Sequence, residues 1–322
     1  MKAAVLHKLG ENPRFEDFID PVPNQDEVLI QVKAVALENV DKMMAEGKHF
    51  ATQQFFPQLP SIVGFDGIGE LPDGTLVGFG GTQSPYGAMA EKTVVPKTNI
   101  VRVPEGIDAI TAAALPSSAL TSLFPLKWGA KLQQGETVLI NGATGVSGKL
   151  AVQIAKRLGA GRVIGTGRHP ESLKQILALG ADAVIDLKRA DEHVVDAFKE
   201  EAENGIDIIL DFLWGHPSEL LIQALTPQKL GFAGRRIRFV QIGEKAGSHL
   251  SLGADALRTS GLEIFGAAAG MTMEAVNEGT ALVWEWVKEG KLTMDIEEIA
   301  LRNIEDAWKR PDFQGKRIVI IP

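Results

Sequence analysis

The sequence predicts an α/β protein in two parts: a β-rich first third and a doubly wound parallel sheet behind it. Three observations carry the prediction. Short apolar runs broken by Pro and Gly clusters fill the first hundred residues. From Thr137 on, apolar strands alternate with helical patterns, as in a parallel sheet covered on both faces. At the first of these alternations a glycine run opens the helix directly after its strand.

Taken in order, "KAAVLH", "EVLIQVKAVAL" and "DGTLVGFG" read as strands, with "DPVPNQD", "PDG" and "GGTQSPYG" as the turns between them. "AEKTVVP" and "NIVRVPEG" continue the series, and strands at this spacing suggest a barrel or sandwich. "DAITAAALPSSALTSLFPLKWGA" is helical and divided by its prolines. The alternation follows: "TVLIN" then a helix over 146–158, "RVIGTG" then "PESLKQILALG", "DAVIDL" then "ADEHVVDAFKEEA". "IDIILDFL" leads to "SELLIQAL", then "RIRFVQIG", with "LEIFGAAA" as a last strand. "EAVNEGTALVWEWVKEGKL" is an amphipathic helix, and "KRIVIIP" is a terminal strand that returns to the first domain.

Composition narrows the function classes. Apolar residues make up 45% of 322, enough for a sizeable core. The net charge of -8 argues against a general attraction to nucleic acid or anionic lipid. There is no cysteine, which removes disulfides, thiolate metal sites and cysteine nucleophiles. The apolar run before His7 and Lys8 is too short for a signal-peptide core, and no stretch approaches a span of ~20 apolar residues. A cytoplasmic location is expected.

Gly142, Gly145 and Gly148 recur every third residue between "TVLIN" and its helix. Such a turn admits close backbone approach, and the first helical N–H groups with their partial positive charge suit a pyrophosphate. No Gly-Lys-Ser/Thr ends the motif, so it is not a Walker loop. The expected cradle is Gly142, Ala143, Thr144, Gly145, Val146, Ser147 and Gly148. The next strand ends in Thr166, Gly167, Arg168 and His169, where an NAD site would carry an acidic residue. A guanidinium there suits a 2′-phosphate and predicts NADPH as cofactor. The plainer reading of Arg168 is a solvated strand end.

With these residues in view, the chain resembles the medium-chain dehydrogenase/reductase superfamily, in its zinc-free, zeta-crystallin-like quinone oxidoreductase branch. The resemblance runs through "MKAAVLHKLG", "VGFDGIGEL", "YGAMAEKTVVP", "GATGVSG", "LGADAVID", "IILDFLWG" and "GKRIVIIP", in order and over essentially the whole chain. It implies a GroES-like β-barrel catalytic domain over 1–115 plus 271–322 and a Rossmann NADPH-binding domain over 116–270. The family's active site lies in a cleft between its two domains. Zinc-dependent members carry a His in G-H-E; here "GFDG" puts Phe65 at that place, and no metal is expected. Without a Lewis acid an already electrophilic quinone or α,β-unsaturated carbonyl is the easier substrate.

The resemblance also supplies site residues. Asn39 of "ENVD" lies near the nicotinamide or substrate and could donate a hydrogen bond to the carbonyl, and Asp41 orders that loop or a water; the alternative for both is a turn or helix cap. Tyr86 could donate to a developing enolate, or simply pack on the barrel. Thr121 lies near the nicotinamide, and Asp211 and Gly243 end Rossmann strands. Lys316 approaches the cofactor phosphates, or forms a salt bridge. The loop departs from the family's consecutive glycines, reading "ATGVSG". A homodimer through "GLEIFGAAA" is expected, as is a small-molecule substrate with no nucleic-acid or membrane partner. A non-catalytic NADPH-binding role is the alternative function.

Overall fold

The computed structural model describes residues 1–227 and 235–322. In chain order it opens with β1 (Lys2–Leu6), β2 (Arg14–Asp17) and β3 (Glu27–Leu37), then α1 (Asn39–Ala45) and α2 (Thr52–Phe55). The strands β4 (Ser61–Ile62), β5 (Asp66–Glu70), β6 (Leu76–Gly80), β7 (Lys92–Pro96) and β8 (Ile100–Arg102) follow, then α3 (Ala109–Ala114) and α4 (Pro116–Phe124). The alternating part is β9 (Thr137–Asn141), α5 (Val146–Arg157), β10 (Arg162–Gly167), α6 (Pro170–Ala178), β11 (Ala183–Asp186) and α7 (Asp191–Asn204). It continues with β12 (Ile208–Asp211), α8 (Gly215–Leu225), β13 (Ile237–Gln241), α9 (Ala254–Thr259), β14 (Leu262–Gly266) and α10 (Met273–Lys288). The chain closes with β15 (Ile296–Ala300), α11 (Ile304–Lys309) and β16 (Arg317–Ile321).

Two compact units result: Met1–Ser117 with Met294–Pro322, and Ser118–Thr293. In the first, a seven-stranded sheet runs β15-β16-β3-β5-β6-β8 with β7 also on β3, beside a three-stranded sheet β2-β1-β4. β3 is long enough to take β16, β5 and β7 as antiparallel partners. Its core gathers Leu6, Ile30, Leu37, Met89, Ile318 and Ile320, all fully buried. The terminal strand lies between β15 and β3, so the end of the chain completes the sheet begun near its start.

The second unit is a six-stranded parallel sheet ordered β11-β10-β9-β12-β13-β14. The order turns back between β9 and β12, which creates a crevice at their carboxyl ends. Its central strands β9 and β12 are buried on both faces, as their unbroken apolar runs require: Val138, Leu139, Ile140, Ile208, Ile209 and Leu210 are all 0% exposed.

The divide differs from the one read from the sequence at α10. That helix belongs to the second unit, not with the barrel. Gly279 is the reason: a Cβ there would sit 3.1–3.3 Å from Phe124, Leu120 and Trp128, so its absence lets α10 lie close on α4. Lys127 Nζ adds a 2.5 Å hydrogen bond to Glu278 Oε1. The run 109–129 also differs from expectation. It spans 21 residues and contains an 18-residue stretch of mean hydropathy 1.4, long and apolar enough to cross a membrane, but most of that stretch is buried against protein as a core helix is.

Candidate functional site

The glycine turn sits where β9 meets α5, beside the switch point of the parallel sheet. Gly142 has φ +93°, a left-handed conformation that costs glycine nothing. Gly145 is the N-cap of α5, and from Val146 on the first N–H groups of the helix have no intrahelical acceptor. Gly148 is the close-packing glycine: a Cβ would fall 2.3 Å from the Gly142 carbonyl oxygen and 2.7 Å from Ala143 Cα. At Gly145 a Cβ would meet only the Gly142 oxygen, at 3.6 Å, and the residue is exposed. The turn is therefore tight on its protein side and open on its solvent side.

A buried polar network holds the turn in place. Asn141, Thr166, Asp211 and Ser218 are all 0% exposed. Thr166 Oγ1 accepts the Gly142 N–H at 2.9 Å and donates to Asn141 Oδ1 at 2.8 Å. Asn141 Nδ2 donates to Asp211 Oδ1 at 3.0 Å, and Ser218 Oγ donates to Asp211 Oδ2 at 2.6 Å. The N–H groups of Leu213 and Trp214 also reach Asp211 Oδ1. Burial pushes the Asp211 carboxyl above its ordinary range, while the hydrogen bonds from Ser218 and the two amides hold it down. Sequence reasoning took Asp211 and Thr166 as cofactor contacts. The side chains instead spend their hydrogen-bonding capacity inside the protein, fixing the carboxyl ends of β9, β10 and β12 to one another. Gly243 is also explained by packing, since a Cβ would lie 2.7 Å from the Phe212 carbonyl oxygen.

Beyond β10, Gly167 is kept bare by Thr144, whose Cγ2 would stand 2.3 Å from a Cβ. Arg168 and His169 are exposed at the edge of the sheet. Thr121 is exposed on α4, and Ser122 Oγ ties that helix to the first turn of α5 by donating to the Ser147 carbonyl at 3.1 Å.

In the first unit, Asn39 is the exposed first residue of α1. Asp41 is buried, and its Oδ2 accepts the Glu38 N–H at 2.7 Å, a helix-capping role. Burial first and Glu38 second push its carboxyl well above the usual range. Tyr86 packs edge-on against Phe18, with its hydroxyl 3.5 Å from the Asp20 carbonyl oxygen, among Ala3, Val5, Ile62 and Ala90. It packs against the small sheet's core, as the packing alternative has it. Lys316 is exposed at the start of β16.

Two groups escaped the sequence reading. Arg317 is buried, with Nη2 3.0 Å from Glu38 Oε1 and Nη1 donating to the Leu37 carbonyl at 3.2 Å. Asp66, the exposed first residue of β5, is the other. Its carboxyl is pushed up to about 6, by desolvation first and Glu38 second, with Arg317 pulling the other way. The first residues of β5 and β16 and the end of β3 meet at one end of the sheet, a juxtaposition no local pattern announces. Phe65 beside them stacks on Phe55 with ring centroids 4.3 Å apart, and on Phe56 at 6.0 Å.

The zinc-binding dehydrogenase family matches residues 147–282, all within the second unit. A quinone oxidoreductase from Thermus thermophilus, solved alone and with NADPH, superposes at TM-score 0.74 and 27% identity over 100% of both chains. These comparisons support the medium-chain dehydrogenase/reductase superfamily, in its quinone oxidoreductase-like branch, as what the chain is similar to. The Rossmann sheet and the separate sheet unit are this branch's arrangement. Among relatives, a quinone oxidoreductase-like protein 2 homolog of Nematostella vectensis is 30% identical over 66% of this chain and 60% of its own. The trans-enoyl reductase pgmF of Aspergillus terreus is 30% identical over 60% of this chain and 58% of its own. The chain thus spans about three fifths of the length of the curated relatives it matches.

Proposed function

We propose that this protein is an NADPH-dependent, zinc-independent reductase of quinones or α,β-unsaturated carbonyls, acting in the cytoplasm on small molecules. The glycine turn carries the reading, because its solvent side is a cradle that a Cβ would begin to fill. The amides around 144–147 would hold a pyrophosphate at the N-terminus of α5. Arg168 would face the 2′-phosphate, with His169 beside it. Thr121, Asn39 and Lys316 are assigned to the cofactor by family resemblance. Bound NADPH supplies a hydride from its nicotinamide C4.

The chain's own part is to bind, orient and polarise. Asn39 offers a side-chain amide donor to a carbonyl oxygen as charge develops there. Zinc independence is supported by Phe65, an aromatic ring in a phenylalanine cluster at the place of the family's histidine ligand. The name of the Aspergillus relative and the NADPH complex of the Thermus protein support the reaction class and the cofactor.

The test follows NADPH absorbance with panels of quinones and enones. Turnover that is undiminished after metal chelation is expected. Tight NADPH binding with no turnover on any substrate would replace the enzyme by a non-catalytic nucleotide-binding protein. Arg168→Ala should raise the KM for NADPH by roughly tenfold and leave that for NADH nearly unchanged. We also propose a homodimer. β14 ends the parallel sheet's strand order, and its edge can pair with a second copy. A monomer at micromolar concentration in light scattering would end that idea.

A further inference from the structure

Asn39, the donor assigned above to the substrate carbonyl, is exposed, and among the described residues its side chain has no hydrogen-bond partner. Where its amide points is therefore set by the backbone that carries it. That backbone is held by β16, from the opposite end of the sequence. Ile318 is the register partner of Leu37, and one step further the antiparallel pairing brings Arg317 opposite Glu38. The buried Arg317 guanidinium uses both of its terminal nitrogens there. Nη1 donates to the Leu37 carbonyl at 3.2 Å, and Nη2 lies 3.0 Å from Glu38 Oε1. The Glu38 N–H donates to Asp41 Oδ2 at 2.7 Å, which closes the N-terminus of α1. The residues directly before Asn39 are thus fixed at a carbonyl, a side chain and an N–H, the first two by Arg317. Arg317 is itself tied on its other side, where its N–H donates to the Asp295 carbonyl at 2.8 Å.

We infer that Arg317 is a positioning residue for Asn39: its fork of donors fixes the peptide from which the Asn39 amide reaches the substrate. The inference rests on the reductase reading above. A donor that meets developing charge must be held within about 0.5 Å of its productive place, and an error of about 1 Å can cost on the order of 100-fold in rate. An exposed side chain with no anchor of its own meets that tolerance only if its backbone is stiff. The guanidinium suits the task because it is planar and donates in two directions at once. Its charge also faces the carboxyls of Glu38, Asp41 and Asp66, which gather at this end of the sheet. A lysine in its place would keep that charge but offer a single point where the guanidinium offers a fork. The two duties of Arg317, charge and aim, can therefore be separated by one substitution.

Steady-state kinetics of the full chain with NADPH and a quinone tests this. Arg317→Lys should lower kcat roughly tenfold and leave the KM for NADPH within about twofold. Combined with Asn39→Ala, it should lower kcat no further than Asn39→Ala does alone, because the fork acts through that amide. Glu38→Gln, which keeps an acceptor for the guanidinium, should lose less than Glu38→Ala. If the losses from Arg317→Lys and Asn39→Ala multiply, Arg317 only closes the end of the sheet and the inference is wrong. The same holds if kcat and the KM for NADPH worsen together in step with a falling melting temperature. Should Arg317→Lys not fold, Glu38→Ala takes its place in the same double-mutant comparison. Asn39→Ala with undiminished kcat would overturn the inference while leaving the reductase reading in place. If the wild-type protein turns over no quinone or enone, the reductase reading fails and the inference falls with it.

Discussion

Asp66 shows how one residue can carry information that its own neighbourhood in the sequence hides. It starts a strand, but its environment comes from Glu38 at the end of β3 and Arg317 at the start of β16. Raising its pKa from 3.8 to about 6 has a definite sign. Between those values the folded chain holds a proton that the unfolded chain has released. Stability from this group therefore falls as pH rises through that window. Asp66→Asn keeps the size and removes the charge. Thermal melts should show the variant more stable than the wild type at pH 7–8, by up to about 2 °C, with the gap closing near pH 4. A variant less stable at pH 7–8 would mean that the ionised carboxylate is held by attraction to Arg317 after all.

At the scale of the element, the β9–α5 turn separates two uses of glycine. Gly148 is bare because the helix presses on the turn. Gly145 is bare on the side facing solvent. Gly148→Ala forces backbone atoms apart and should cost about 1–3 kcal/mol in denaturant melts, with loss of nucleotide affinity. Gly145→Ala meets no protein atom closer than 3.6 Å, and its φ of -74° suits any residue. Its melting temperature should match the wild type. Its affinity for NADPH should still drop, roughly tenfold, because the methyl group occupies the cradle. Unchanged affinity in the Gly145 variant would place the phosphates elsewhere. The elements themselves were largely legible. Strand and helix periods placed β9 to β14 and helices α5 to α8, because a parallel sheet imposes unbroken apolar runs that need no partner to be seen; the short α9 was missed. β15 was missed, since "IEEIA" alternates weakly and owes its pairing to β16. The sequence could not tell Thr166 and Asp211 from ligand contacts either. Strand ends in open α/β sheets commonly bear ligands, and only the network around Asn141 shows where these side chains point.

For the whole molecule, the discontinuous first unit makes a strong claim on the C-terminus. Ile318, Val319 and Ile320 are 0% exposed, and β16 lies between β15 and β3. A chain ending at Thr293 would leave β3 with an open edge and its core uncovered. Hydrogen exchange should then show the amides of β1 to β8 losing protection, while those of β9 to β14 keep theirs. Equal loss in both would mean that the units fold as one. The sequence by itself determined the class of fold, the glycine turn and the basic end of β10, because each is written in residues close along the chain. The tertiary structure alone decided that α10 packs on α4 and that Tyr86 packs against the core of the small sheet. Those outcomes depend on which distant segments touch, and the contact is fixed by close packing and strand register rather than by local pattern.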